Sequence, residues 1–180
     1  MADWRKIKKI DAHIHIIPDV VHKANPDSED EWVYADQTKY LKLMEKYNIE
    51  QAVIMPLNDP YLMSMEFTVD AVNKNLKELV DKYPDKFFAM ADIDVSNYIE
   101  VSKTSLIKAI EEYKLNGLKI HPNNTGMNAD DEYNVALLEE FNKYGLPVFI
   151  HSYPNSKDDR SATYRIKYLI NKFPNIKFII

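Results

Sequence analysis

The chain has 180 residues, of which 46% are hydrophobic and 28% are charged, the composition of a globular protein that can bury a core. Its net charge of −5 argues against nucleic acid or an anionic membrane as the main partner, and the absence of cysteine excludes disulfides, thiolate metal sites and a cysteine nucleophile. No stretch approaches the roughly 18 apolar residues of a membrane helix, so we expect one domain, residues 1–180, in the cytoplasm.

Six short apolar runs predict β-strands along the chain. In order they are KIDAHIHII, QAVIMP, KFFAMADID, GLKIHP, LPVFIHS and NIKFII. Each is rich in β-branched or aromatic residues and is bounded by Pro, Gly, Asn or Asp, which is typical of strands. Because most of the runs are apolar on both faces, they favour a parallel sheet that is covered on both sides.

Between these runs lie segments with the apolar spacing of amphipathic helices. They are DQTKYLKLMEKY, VDAVNKNLKELVDKY, SLIKAIEEYKL, EYNVALLEEFNKY and ATYRIKYLINKF, and Pro84, Pro174, Gly117 and Gly145 stand where helices are expected to end. From the third strand on, the repeat is roughly 30 residues, the size of a βα unit. The sequence therefore predicts an α/β fold built from successive βα units.

Four of the five histidines occur at the ends of predicted strands. His13 and His15 end the first run, His121 ends the fourth and His151 ends the fifth. Because side chains alternate across a strand, His13 and His15 must point to the same side, together with Asp11. In βα-repeat proteins active sites form at the carboxyl edge of the strands, so a shared divalent metal ion is the interpretation that this clustering favours. Histidines packed separately in the core are the alternative.

For other polar residues near these strand ends, the sequence gives less support for a role in the site. Lys119, on the same face as His121, is either a lysine that reaches the barrel mouth or a charge partner for substrate. Tyr153 shares the face of His151, and His22 is expected at the surface. The remaining candidates fit turns and loops better than substrate contacts: Asp92, Asp94, Asn123, Asn124, Thr125 and Arg160.

The longest irregular stretch runs from Pro18 to Asp36 and contains Trp32 and Tyr34. It predicts a surface loop. A lid or pocket wall beside the end of the first strand is the alternative.

The motifs IDAHIHI, GLKIHP and PVFIHS together resemble those of the amidohydrolase superfamily. They are most similar to its branch of metal-dependent hydrolases of TIM-barrel fold, which also contains aromatic-acid decarboxylases. The resemblance extends from the first strand to the last residue. It implies a (β/α)8 barrel, incomplete here with about six strands, in which His13 and His15 are the ligand pair of strand one and His151 is the ligand of strand five.

The same resemblance implies supporting roles in substrate binding or around the metal for Asp11, Lys119, His121 and Tyr153. Some members with two metals carry a carbamylated lysine at the place of Lys119, although one metal is commoner in this branch. The family's strand-six histidine and strand-eight aspartate would lie beyond Ile180, so the catalytic residues are expected outside this chain. An eight-unit barrel takes ~200–250 residues or more, so we expect a fragment of a longer hydrolase, or a barrel completed by a partner chain.

The function that this resemblance implies is hydrolysis by a metal-activated water that attacks an amide, ester or lactone-like bond of a small molecule. The expected cofactor is Zn²⁺, with Mn²⁺ or Fe²⁺ as alternatives, because the ligands are imidazoles and carboxylates without thiolates. A non-hydrolytic, metal-dependent decarboxylase of the same fold is one alternative function, and an inactive truncated barrel or interaction module is another. The expected partner is a small-molecule substrate, and a homo-oligomer remains open.

Overall fold

A computed structural model describes residues 3–17, 36–56, 68–153 and 157–180. The predicted loop or lid from Pro18 to Asp36, with His22, lies outside these ranges except for Asp36. Its two alternatives therefore remain predictions.

Six strands lie where the apolar runs predict them. They are β1 (Lys9–Ile14), β2 (Ile49–Ile54), β3 (Phe87–Ala89), β4 (Leu118–Ile120), β5 (Val148–Ile150) and β6 (Phe178–Ile179). Except for β2, which begins two residues before its run and has the same length, each strand is shorter than its run, and a histidine directly follows three of the strands: His15, His121 and His151. The histidines thus lie at the point where the backbone leaves the sheet.

All strand pairs are parallel. Strands β1, β2 and β3 pair in that order, as do β4, β5 and β6. A parallel bridge between Ala91 and Leu118 joins the two groups, because the Ala91 N–H donates to the Gly117 carbonyl at 2.8 Å and the Lys119 N–H donates to the Ala91 carbonyl at 2.9 Å. The described strands therefore form one parallel arc, which confirms the α/β class.

Helices separate successive strands. They are α1 (Gln37–Tyr47), α2 (Val69–Lys82), α3 (Ile99–Ile107, continued by a π-helical turn over Lys108–Glu112), α4 (Pro122–Thr125), α5 (Glu132–Phe141) and α6 (Thr163–Lys172). Helix α3 begins six residues before the predicted segment, and α4 lies where we predicted a loop. Side chains start several of them: the Asp36 carboxylate accepts from the Lys39 N–H at 2.8 Å, and the Thr68 hydroxyl accepts from the Ala71 N–H at 3.3 Å. In the described ranges no helix is long and apolar enough to cross a bilayer.

The two faces of the arc differ in their packing. The outer face packs against the helices in one large apolar core that includes Phe87, Leu118 and Val148. The inner face carries a smaller apolar cluster of Met55, Met90 and Phe149. Residues of the inner face alternate with those of the core, so Lys119 and the histidines share the side of this small cluster.

The prediction of a sheet covered on both sides is correct for β4 and β5, whose residues are all buried, but it is wrong for β1. In β1, Ile10 is 65% exposed, and Ala12 is exposed as well. Strand β1 pairs only with β2 among the described strands, which leaves its other edge without a described neighbour.

The two glycines predicted to end helices have different roles. Gly145 adopts a positive φ of 64° after the turn that follows α5, as expected for a helix stop. Gly117 instead allows a close approach, because a Cβ there would lie 2.5 Å from the Met90 sulfur and 2.6 Å from the Pro147 carbonyl oxygen. That carbonyl accepts the Leu118 N–H at 3.0 Å, so Gly117 lets β4 lie against the chain that enters β5.

Candidate functional site

The carboxyl ends of β1, β4 and β5 bring the four predicted histidines to one side of the sheet. His13 lies in β1, His15 directly follows it, and His121 and His151 directly follow β4 and β5. The charge of His151 lowers the pKa of His13, and the charge of His15 lowers that of His121, so the rings from different strands are close. The fold thus brings these four histidines to one edge of the sheet.

His13 and His15 meet through their outer nitrogens. The two Nε2 atoms lie 3.3 Å apart, and the ring centroids lie 5.3 Å apart. Two nitrogens each about 2.0–2.1 Å from one ion, at a tetrahedral angle, would stand about 3.3–3.4 Å apart. The spacing of this pair therefore fits two ligands of a single divalent ion.

The protonation of these rings also suits a cation. Burial is the main cause that lowers the pKa of His13 and that lowers the pKa of His15 to about 4. Both imidazoles are thus neutral at pH 7, the state in which a ring nitrogen can bind a metal. The His15 ring also forms a hydrogen bond with the backbone of Pro56, which has no N–H, so the His15 ring is the donor. A neutral ring that donates from one nitrogen keeps a lone pair on the other.

His151, the third predicted ligand, is held between two rings. Its ring centroid lies 3.9 Å from that of His121, with the planes inclined by 12°, and 6.4 Å from that of Tyr153. Burial also lowers the pKa of His151. Within the described ranges, no three His, Asp or Glu side chains are grouped closely enough to form a complete metal site. The direct contact is therefore between His13 and His15, and the assignment of His151 as their co-ligand remains a proposal.

Lys119 is buried beneath the histidines. It is 4% exposed, so its ammonium does not reach the solvent as a lysine at the barrel mouth would. Burial lowers the pKa of Lys119 to about 8, and its charge in turn contributes to the low pKa values of His13, His15 and His151. Among the described residues no carboxylate counters this effect on the pKa of Lys119, because burial is its single cause.

The burial of Lys119 should reduce stability in a pH-dependent way. Below about pH 8 Lys119 is charged in both the folded and the unfolded protein, and the folded protein bears the free-energy cost of burying that charge. Between about pH 8 and 10.5 the folded state releases its proton first, so stability rises with pH. We expect metal-free Lys119→Met to be more stable at pH 7, by an amount on the order of 1–3 kcal/mol, and to lose that advantage toward pH 10.5.

Urea unfolding of the two proteins across this pH range measures the effect. The difference between them isolates Lys119, because the other titrating groups are common to both. A variant that is less stable than the parent at pH 7 would contradict the inferred cost of burying the charge.

Asp11 links the first strand to helix α1. Its carboxylate accepts from the Tyr40 hydroxyl at 2.9 Å and from the His13 N–H at 3.3 Å. The negative charge of Asp11 raises the pKa of His13, whereas the positive charge of Lys119 lowers it. Asp11 thus fixes the backbone at the start of the histidine pair. The sequence pattern placed Tyr40 on the apolar face of its helix and gave no sign of this contact.

The weaker candidates divide between turn and bridging roles. Asp94 accepts from the N–H and hydroxyl of Ser96, which is the predicted turn role, whereas Asp92 is buried. Arg160 pairs with Asp158, which also accepts from the Asn123 amide. These residues bridge the loops that follow β4 and β5, a role that separate sequence positions could not reveal.

Comparisons with known proteins agree with one another on the fold and family. A family model described as amidohydrolase matches residues 10–180. A TIM-barrel protein from Bordetella bronchiseptica superposes on 96% of this chain with a TM-score of 0.73 at 18% identity, over 66% of its own length. The arc of six parallel strands is therefore TIM-barrel in type, as predicted.

Two related proteins carry the names of decarboxylases. The 2-amino-3-carboxymuconate-6-semialdehyde decarboxylase of Dictyostelium discoideum is 29% identical over 99 residues, which is 55% of this chain and 27% of that protein. The 5-carboxyvanillate decarboxylase of Novosphingobium aromaticivorans, solved with manganese and 3-methoxy-4-hydroxy-5-nitrobenzoic acid, superposes on 97% of this chain with a TM-score of 0.68 at 15% identity, over 65% of its own length. The chain thus spans less than two thirds of each of these relatives.

Proposed function

Because the chain belongs to the amidohydrolase family, as the match over residues 10–180 shows, we propose that it takes part in the metal-dependent decarboxylation of a small aromatic or unsaturated carboxylic acid. The observation that carries this choice is Lys119, a buried cation beneath a set of neutral histidines. A site of this charge favours an anionic substrate. The names of two related decarboxylases support the same choice.

His13, His15 and His151 are the residues that would hold the metal. The 3.3 Å spacing of the first two Nε2 atoms supports a shared ion, and His151 follows the strand on the other side of the cluster. Three imidazoles suit Zn²⁺, and the related decarboxylase with manganese makes Mn²⁺ the second candidate. When bound, the ion would supply Lewis acidity that polarises an oxygen of the substrate.

The chain's own groups would bind and orient the acid. The Lys119 ammonium and the ion held by the histidines would both attract the substrate carboxylate. The apolar cluster of Met55, Met90 and Phe149 lies on the same face of the arc but is itself buried, so it supports the residues around it and offers no open surface to a substrate.

Decarboxylation of a bound carboxylate is balanced with one proton from the solvent as its only further reactant. The bond between the carboxyl carbon and the substrate skeleton breaks, carbon dioxide leaves, and the electron pair of that bond remains on the skeleton carbon. A proton then bonds to that carbon. The substrate must therefore tolerate negative charge at that position, which aromatic and enol-like acids do.

Hydrolysis of an amide, ester or lactone-like bond is the second candidate function. The matching family model carries the description amidohydrolase, and a bound divalent ion can activate water as well as polarise a substrate. The two functions differ in what they need from Lys119, because an uncharged amide gains little electrostatic binding energy from a buried cation.

Because the catalytic residues are expected outside this chain, the test presents a pair of substrate panels, after loading with Zn²⁺ or Mn²⁺, to the chain together with the further sequence or partner chain that completes the barrel. One panel contains 5-carboxyvanillate, 2-amino-3-carboxymuconate-6-semialdehyde and hydroxybenzoates, with carbon dioxide release as the signal; the other contains amides, esters and lactones. We expect carbon dioxide from at least one acid, and at least tenfold less from Lys119→Met. Hydrolysis of the second panel without carbon dioxide would replace this proposal by the hydrolase, and no turnover of either panel would overturn it.

A further inference from the structure

The stacked pair of His121 and His151 lies at the end of two strands in fixed register. Ile120 of β4 pairs with Ile150 of β5, and the His151 N–H donates to the Ile120 carbonyl at 2.9 Å. The rings that follow these residues therefore face each other across adjacent strands. Their centroid distance of 3.9 Å and inclination of 12° correspond to close parallel stacking.

Local contacts fix the His121 ring in one orientation. His121 caps the short helix α4, and its Nδ1 accepts from the Asn124 N–H at 3.3 Å. An accepting Nδ1 carries a lone pair, so in a neutral ring the hydrogen must lie on Nε2. Both nitrogens of His121 are then assigned, and neither presents a free lone pair to a metal ion.

A second contact ties together the loops that carry the two rings. The buried Ser161, which is 1% exposed, donates its hydroxyl to the side-chain Oδ1 of Asn123 at 2.9 Å and accepts from the Tyr153 N–H at 3.0 Å. Asn123 follows His121 by two residues, and Tyr153 follows His151 by two residues. The serine therefore holds both loops in the arrangement that keeps the rings stacked.

We propose that His121 is a positioning residue that holds the ring plane of His151 ready for the metal. This inference rests on the proposed function, in which His151 is a ligand. A ligand ring that is already oriented loses less conformational freedom when the ion binds, so affinity is higher. Groups that orient metal-bound histidines typically change metal affinity by about 10–100-fold when they are removed.

The experiment measures the dissociation constant for Mn²⁺ by electron paramagnetic resonance in the parent protein and in three variants. His121→Ala removes the ring, His121→Gln keeps an acceptor for the Asn124 N–H but no ring, and His121→Phe keeps a ring that can stack but has no nitrogen. We expect the Ala and Gln variants to bind about 10–100-fold more weakly than the parent and the Phe variant to bind within about threefold of it.

The outcomes separate this inference from its alternatives. Parent-like affinity in His121→Ala would overturn it, and so would a Phe variant as weak as the Gln variant, since His121 would then act through its nitrogens. Where His121→Ala does not fold, the comparison of Gln with Phe decides. A parent protein that binds no Mn²⁺ would overturn the proposed function together with this inference, whereas tight binding that the variants leave unchanged would overturn only the latter.

A second measurement tests the ring itself without any metal. Nitrogen-15 NMR of the metal-free protein distinguishes the two neutral tautomers of histidine. We expect His121 as the Nε2–H tautomer. The Nδ1–H tautomer would contradict the hydrogen bond from Asn124 and with it the proposal.

Discussion

Alanine at His13 or at His15 is expected to weaken binding of Zn²⁺ and Mn²⁺ by roughly 100-fold or more. Loss of a group that merely orients a ligand costs about 10–100-fold, so loss of a ligand itself should lie at or beyond the upper end of that range. The two Nε2 atoms, 3.3 Å apart, would share one ion, and neither ring alone can replace the other. Isothermal titration calorimetry of the metal-free proteins measures the change.

Ile10→Ala is the matched control for these variants. Ile10 lies on the same strand as His13, three residues before it, and it is 65% exposed. Its truncation should leave the metal affinity unchanged. Metal affinity that is unaltered in both histidine variants would show that the contact between the two rings is an ordinary hydrogen bond.

Phe87→Ala is expected to lower the free energy of unfolding by about 3–5 kcal/mol. Phe87 is fully buried on the outer face of β3, where its ring lies 5.6 Å from that of Tyr83, edge to face, and 6.3 Å from that of Tyr40. Its removal would leave a cavity between the sheet, α1 and α2 that the rigid surrounding elements cannot close.

The neighbouring Phe88→Ala provides the comparison. Phe88 lies on the same strand but on the inner face and is 38% exposed, so we expect its truncation to cost about 1 kcal/mol or less. Urea unfolding of both variants and the parent measures the difference. Equal losses in the two variants would contradict the assignment of the faces of β3.

The placement of the histidines shows how far alternation along a strand can be used. His13 and His15 were expected to point to one side, and the two further strand ends that carry histidines could be located from apolar runs and their boundaries alone. The proximity of His121 to His151 could not be obtained that way. It depends on the pairing of Ile120 with Ile150, a register between strands that are thirty residues apart in the chain.

The contacts that hold the site in place could be predicted from the sequence even less. Tyr40 reads as an apolar helix residue, yet its hydroxyl donates to Asp11. Ser161 reads as a loop residue, yet it bridges Asn123 and Tyr153. Single hydrogen bonds between distant residues leave no periodic trace in a sequence, so patterning cannot predict them.

Local patterning by itself determined the α/β class, the six strands, most of the helices and the edge of the sheet where the histidines gather, because each depends on spacing within a few residues. The tertiary structure decided the rest: the burial of Lys119, the stacking of His121 on His151, the exposure of β1 and the close approach at Gly117. Burial, stacking and charge depend on which strands and helices become neighbours, and that is fixed only when they pack together around a common core.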